Sequence, residues 1–236
     1  WEYTGSGYSE AIASAEGCDV RLKLNSSLRV GFEGHLAAAR TTLRENQSAF
    51  TSVSWSSAQR GPRDTDEAYD RMERTANFWR EWLDHGEFPD HPWRDHLQRS
   101  ALTLKGLTYS PTGALIAAAT TSLPETPKGE RNWDYRYTWI RDAAFSLYGL
   151  LRLGFSDEAE AFTGWLRDRV VGRTDSESGP LQIMYGIDGR SELTEETLDH
   201  FEGYRGSAPV RVGNGAYDQL QLDIYGELID SIYLYN

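Results

Sequence analysis

A single cysteine, Cys18, serves the whole chain of 236 residues, so no intrachain disulfide can brace it. That scarcity fits a reducing compartment and leads to the expectation of a cytoplasmic location. Long apolar runs are missing as well. No stretch approaches the ~18–20 apolar residues that a membrane-spanning helix requires, and no secretory leader is expected. The chain opens on Trp1 without an initiator methionine, and both of its ends are expected to be cut. Basic residues are the minority, 24 against 36 acidic ones, for a net charge of −12. Without a concentration of Lys and Arg no face can neutralise a phosphate backbone, which excludes nucleic acid as a partner. Several catalytic signatures are absent too. The five histidines show no H-E-x-x-H or Cys/His spacing, so no transition-metal site is expected, and His85, His91 and His96 read as surface residues. There is no G-x-S-x-G elbow for a serine hydrolase, and no Walker lysine or G-x-G-x-x-G for a nucleotide.

Aromatics are plentiful, with eight Trp and thirteen Tyr. A helical core accounts for most of them. A few are expected to stack on sugar, because the C–H face of a pyranose packs well against a flat ring. The length allows one or two domains. Residues 1–60 read as strands: Val20, Leu22 and Leu24 alternate with Arg21, Lys23 and Asn25, and Val30–Leu43 and Ala49–Trp55 look similar. Residues 61–90 read as a linker and linker helix. Ser56–Asp66 is polar around Gly61-Pro62, then Asp64 and Glu67 form a capping-box-like start, with Met72, Ala76, Trp79 and Leu83 at helical spacing. Gly86 and Pro89 stop that helix.

Residues 91–236 read as helices joined by long, aromatic-rich loops. Trp93–Leu107 carries Leu97, Ala101, Leu104 and Leu107 in phase. Ser110–Gly113 is a turn, and Leu115–Thr121 is small, apolar and extended. A helix over Arg141–Leu153 ends at Gly154, and Ser156 caps the next, which carries Ala159, Phe162 and Leu166. Arg173–Gly179 is a polar loop. Leu181–Arg190 is expected to be a hairpin turning at Asp188-Gly189. Gly215–Tyr233 is expected to be a helix with Leu220, Ile224, Leu228 and Ile232 in phase.

Two constellations could carry chemistry. Asn132–Asp142 (NWDYRYTWIRD) packs four aromatics, two Arg and two Asp into eleven residues just before a helix. Arg141 offers a planar fork of donors and Asp142 two acceptor oxygens, which together can grip adjacent sugar hydroxyls, while Tyr135 and Trp139 offer stacking faces. The same residues could equally form ordinary ion pairs and core. Gly203–Gly215 (GYRGSAPVRVGNG) is rich in glycine and shapes a loop that brings Tyr204, Arg205 and Arg211 towards a cleft. The acids Glu192, Glu195, Glu196 and Glu202 read as solvated.

At these two blocks, and at the lead-ins Leu97–Leu107 and Ala118–Pro124, the sequence resembles glycoside hydrolase family 15, the family of glucoamylases, glucodextranases and bacterial trehalases. The resemblance runs from about Asp90 to Asn236 with the motifs in the family's order. Through Leu181–Arg190 and Thr197–His200 its wording is most similar to the actinobacterial trehalase branch. The resemblance implies a mainly α fold, part of an (α/α)6 barrel preceded by part of a β-sandwich. It implies inversion at the anomeric carbon by two glutamates, an acid and a base, roughly 6.5–9.5 Å apart. Both glutamates are expected beyond Asn236, so the polypeptide alone is expected to be inactive. Carried over by position, Tyr135, Trp139, Arg141 and Asp142 would line the subsite of the released glucose, with Tyr204 and Arg205 at a second wall. The implied substrate is trehalose or the non-reducing end of an α-glucan, attacked from its end. The trehalase branch also admits phosphate and Mg²⁺, although no motif in this chain demonstrates either. The alternatives are a carbohydrate-binding protein that keeps the glucose subsite without the acids, and a helical domain whose aromatics are all core.

Overall fold

The computed structural model describes residues 1–55, 60–170 and 180–235. The polar loop read over Arg173–Gly179 and part of the linker read over Ser56–Asp66 lie outside them. The chain divides into two compact units, Trp1–Arg80 and Glu81–Asn236.

In the first unit β1 (Glu2–Tyr3), β2 (Glu10–Ala13), β3 (Leu22–Ser26) and β6 (Thr51–Ser54) form an antiparallel sheet in the order β1-β2-β3-β6, and β4 (Gly31–Glu33) pairs with β5 (Leu36–Ala38) as a hairpin. The register pairs Ala11 with Leu24 and Leu24 with Val53. Its core is small: Ala11, Leu24 and Val30, with Trp1 and Phe32 packed against them. The alternation expected from Val20 is displaced along the chain. Val20 and Leu22 are exposed, and the inward positions are Leu24 and Ser26. Ser26 earns burial through its hydroxyl, which reaches the Phe50 carbonyl at 2.9 Å.

α1 (Thr65–Asp84) begins where expected, because the Asp64 carboxylate accepts from the Glu67 N–H at 2.8 Å. Glu67 reaches back one residue further than a capping box, to the Arg63 N–H at 3.0 Å. None of its residues is buried, and Met72, expected on an apolar face, is exposed.

The second unit holds α2 (Arg94–Gly106), the hairpin β7 (Thr108–Tyr109) and β8 (Ala114–Leu115), β9 (Thr138–Trp139), α3 (Ile140–Arg152), α4 (Ser156–Val170), β10 (Met184–Tyr185), β11 (Glu196–Thr197), β12 (Arg211–Val212) and α5 (Asp223–Tyr235). α3 buries Ile140, Ala143, Ala144, Leu147 and Leu150, a stripe at helical spacing. Each large apolar side chain so buried contributes about 1.5–3 kcal/mol. α3 ends in a Schellman motif: the Gly154 N–H bonds the Leu151 carbonyl, the Phe155 N–H bonds the Leu150 carbonyl, and Gly154 sits at φ 84°. α4 faces it with Ala159, Phe162, Trp165 and Leu166.

Three expectations are corrected. The chain is mixed helix and sheet rather than mainly α: among the described residues there are five helices and twelve short strands. Strand pairing between distant loops, at β9–β10 and β11–β12, leaves no periodic trace in a two-residue strand. The hairpin read over Leu181–Arg190 keeps its turn, with the Gly189 N–H on the Gly186 carbonyl at 2.8 Å, but its strand β10 pairs with β9. α5 starts eight residues after the expected Gly215. Residues before it are drawn into turns by Asn214, whose carbonyl takes the Tyr217 N–H, and by Gln182, which holds the Tyr217 carbonyl at 3.0 Å. Leu220 is accordingly exposed, while Ile224 and Leu228 are buried as expected. No helix among the described residues is long and apolar enough to cross a membrane.

One buried carboxylate ties α2 and α4 together. Glu158 Oε1 accepts from Lys105 Nζ at 2.5 Å and from Trp82 Nε1 at 2.8 Å. Burial pushes its pKa up, but the bonds from Lys105 and Trp82 and the Lys105 charge outweigh burial and hold it below the ordinary range. A depressed folded pKa contributes stability that is complete above the unfolded value, near ~4.3, and disappears as pH falls through the folded value. Glu158→Ala is expected to lower unfolding free energy at neutral pH by about 1–3 kcal/mol and to flatten the loss of stability below pH ~4, measured by urea denaturation across pH.

Candidate functional site

Asn132–Asp142 runs extended from Asn132 to Trp139 and then enters α3. It lies antiparallel to residues 117–122, with the Ala118 N–H on the Tyr135 carbonyl at 2.9 Å and the Ser122 N–H on the Trp133 carbonyl at 3.0 Å. Extended backbone sends alternate side chains to opposite sides. Asn132 and Asp134 are both fully buried, while Trp133 and Tyr135 face a cleft.

The buried side is polar and bonded across the chain, with Asn132 Oδ1 left unpaired among the described residues. Asn132 Nδ2 donates to the Ser207 and Pro209 carbonyls at 3.2 and 3.0 Å. Asp134 accepts from Arg136 Nε at 2.9 Å and Nη2 at 2.8 Å, from the Arg136 N–H, and from the Gly213 N–H at 3.2 Å. Asn214 Nδ2 donates to the Asp134 carbonyl at 3.0 Å. Gly213 is required here: it sits at φ 80°, and a Cβ would overlap the Thr194 carbonyl. The two blocks singled out in the sequence are therefore one assembly.

The cleft has a volume of about 410 Å³ and is lined by Trp133, Tyr135, Trp139, Glu195, Asn214, Gly215, Ala216 and Gln219. That volume lies within the usual range for small-molecule sites, and an aromatic wall facing a few polar groups is their usual make-up. The Tyr135 and Trp139 rings are 6.4 Å apart at 49°. Burial, with the charges of Glu125 and Asp142, pushes the Tyr135 phenol up, so it stays a hydroxyl donor. Trp139 is held by β9 and by the first bond of α3, Ile140 N–H to the Ile183 carbonyl at 3.0 Å.

Of the expected residues, Tyr135 and Trp139 line this cleft together. Arg141 and Asp142 sit beside it in the first turn of α3, without lining it. Arg141 Nη1 donates to Asp223 Oδ2 at 2.9 Å and to Gln221 Oε1 at 3.4 Å, and its guanidinium lies 5.9 Å from the Trp139 ring. Asp142 is exposed, its carboxylate 3.9 Å from Arg141 Nη2. Tyr204 and Arg205 are not brought to this cleft. Tyr204 lines a second one of about 430 Å³ with Thr121, Leu123, Phe201 and Val210. Arg205, in a left-handed conformation at φ 53°, stacks over Tyr204 and lines neither of these clefts.

Arg211 does reach the cleft wall. It lies 4.7 Å over the Trp133 ring, pairs with Glu195 at 3.0 Å, and donates to the Glu130 and Asn132 carbonyls. Glu195, read in the sequence as solvated, is a cleft residue, and sequence reasoning also passed over Asn132, Asp134, Asn214 and Gln219. Alternation within the block was the available signal for Asn132 and Asp134. Nothing local marks Glu195. Among the described residues no three His, Cys, Asp or Glu side chains converge as metal ligands.

The family model of Glycosyl hydrolases family 15 matches residues 91–236. The chain belongs to that family. Among curated relatives it is 55% identical to a trehalase of Mycolicibacterium smegmatis and 53% identical to a trehalase of Mycobacterium tuberculosis, in both cases over 100% of this chain and 35% of the relative. It is 44% identical to a trehalase of Thermoplasma acidophilum over 70% of this chain and 27% of the relative. The chain thus spans about a third of the length of the curated relatives it matches most fully. No solved structure matches it.

Two substitutions test the assembly without any ligand. Gly213→Ala is expected to cost more than about 1 kcal/mol, since it adds both strain and overlap. Asp134→Ala strands the Gly213 N–H and unpairs Arg136, whose half-exposed side chain can turn to water, and is expected to cost about 1–3 kcal/mol. Thermal unfolding monitored by near-ultraviolet circular dichroism reads both, and an unchanged midpoint for either would contradict the account.

Proposed function

We propose that the chain is the glucose-holding part of an inverting, exo-acting glycoside hydrolase that acts on α-glucosides, with trehalose as the substrate. The observation that carries this reading is the 55% identity, over every part of this chain, to a protein named trehalase. The cleft supports it: Trp133, Tyr135 and Trp139 offer flat apolar faces, and Glu195 and Gln219 offer hydrogen bonds on the other side.

In this reading Trp139 and Tyr135 stack on the glucose to be released. Arg141 and Asp142, at the rim, donate to and accept from its outer hydroxyls, closing the pocket beyond the sugar so that only chain ends fit. Bidentate grip by a planar guanidinium and a carboxylate fixes orientation as well as adding affinity. The acid and base glutamates belong to parts of the parent protein that this chain does not span. One protonates the glycosidic oxygen while the other draws a proton from water on the opposite face, which inverts the anomeric carbon. We assign residues 91–236 to the first part of an (α/α)6 barrel, residues 61–90 to a linker, and residues 1–60 to part of a β-sandwich. The site of action is assigned to the cytoplasm.

Full-length protein incubated with trehalose is expected to release glucose faster than from maltose, with α- and β-glucose appearing initially in equal amounts in the proton NMR spectrum, because the attacked ring inverts while the leaving glucose keeps its α configuration. Asp142→Asn and Arg141→Lys are each expected to lower kcat/KM on trehalose by about 100-fold, a loss of roughly 2.7 kcal/mol of transition-state binding. Binding of glucose without release from either disaccharide would favour the carbohydrate-binding alternative. Initial release of α-glucose alone would overturn inversion.

A further inference from the structure

We infer that Glu195 is a sugar-binding residue of the cleft, its carboxylate accepting a hydrogen bond from a ring hydroxyl of the glucose held by Trp133, Tyr135 and Trp139. The inference rests on the α-glucoside reading and adds to it the group that selects among sugars.

The geometry behind it is specific. Glu195 Oε1 pairs with Arg211 Nε at 3.0 Å, and Oε2 accepts from the Gly215 N–H at 3.2 Å. A carboxylate has about four acceptor positions, so two remain after these bonds. The side chain is 28% exposed and borders the cleft, which leaves that remaining capacity within reach of a ligand. Arg211 cannot swing away with it. Its side chain is 14% exposed, lies over Trp133, and spends its Nη1 on the Glu130 and Asn132 carbonyls. The acceptor is thus bolted to the same ring that forms the stacking wall.

The other polar side chains of the cleft have less to offer. Asn214 is consumed: Nδ2 donates to the Asp134 carbonyl and Oδ1 accepts from the Ala216 N–H. Gln219 Oε1 accepts from Gln221 at 3.1 Å. Glu195 is the carboxylate among the lining residues. A hydrogen bond to an ionised acceptor is about twice as strong as one between neutral groups, and an acceptor fixed before binding loses little entropy on binding. A site so built discriminates steeply against a sugar lacking the donor hydroxyl. A purely structural Glu195–Arg211 pair would hold the two loops together but would be indifferent to the sugar.

The test uses full-length protein, with glucose binding read from tryptophan fluorescence and trehalose hydrolysis assayed in parallel. Glu195→Gln keeps the size and the Gly215 bond and removes the charge. It is expected to raise the dissociation constant for glucose about tenfold or more, and the KM for trehalose with it. An affinity within about twofold of wild type, in a variant that melts like a folded protein, overturns the inference. Should the variant fail to fold, wild-type protein with singly deoxygenated and deoxyfluorinated glucoses decides. Fluorine accepts but does not donate, so at the hydroxyl that donates to Glu195 both analogues should bind about tenfold more weakly than glucose. If fluorine restores affinity at every position, no hydroxyl donates to a carboxylate and Glu195 has no such role. Wild-type protein that binds glucose in this Glu195-dependent way yet cleaves no trehalose overturns the hydrolase reading and supports this one.

Discussion

A carboxylate sealed from water is the constraint on which the cleft depends. Asp134 is fully buried, and an ionised group in that position costs several kcal/mol unless its surroundings replace the lost water. The Arg136 guanidinium and backbone N–H and the Gly213 N–H do so. The repayment has a geometric condition: the segment at Asn132–Arg136 and the segment at Arg211–Asn214 must lie side by side. Once they do, strand alternation points Trp133 and Tyr135 outward into one space. The stacking wall is a by-product of satisfying the buried charge.

The helices provide the floor and the loops provide the chemistry. α3, α4 and α5 share a core around Leu147, Leu150, Phe162 and Ile224. Every residue lining the cleft lies before α3 or between α4 and α5. Arg141 bridges the starts of α3 and α5 through Asp223, so the group expected to hold a sugar is oriented by helix packing. Rigid support under a loop-built pocket is how a shallow surface acquires fixed geometry.

Much of the helical framework was legible in the residues. α2, α3 and α4 follow the apolar period over Arg94–Gly106, Ile140–Arg152 and Ser156–Val170. α5 was placed too early because Leu220 falls in phase with Ile224 and Leu228 by spacing alone. Spacing carries no information about the bonds from Asn214 and Gln182 that turn the chain there. The four-stranded sheet was legible in kind but not in which side chains face inward. Tyr135 and Trp139 read as stacking faces from the block itself and again through the resemblance, and the fold brings them to one cleft. Asp134 and Glu195 were passed over for a common reason: an acid acquires its meaning from its partner. Asp134 takes three bonds from nearby Arg136, but the Gly213 N–H that gives it its place lies 79 positions on, and Glu195 depends on Arg211, which itself reads as one more loop arginine. Tyr204 belongs with Phe201 at another cleft, a separation that the proximity of two glycine-rich motifs could not reveal.

The bond from Gly213 to Asp134 spans 79 positions of chain, and Asn132 reaches almost as far to its two carbonyl partners. On the ribosome this has an ordering effect. α3 and α4 can meet each other as soon as both have emerged, but α3 packs more extensively on α5, which is made after the glycine loop. The aromatic block has to wait, with its carboxylate still hydrated, until the glycine loop has been made. Closing so long a loop costs chain entropy before any contact rewards it. The cleft and the α3–α5 packing beneath it therefore both wait for the chain beyond Gly203, and a nascent chain halted before that point would carry α3 and α4 without their third partner and with its sugar cleft still open.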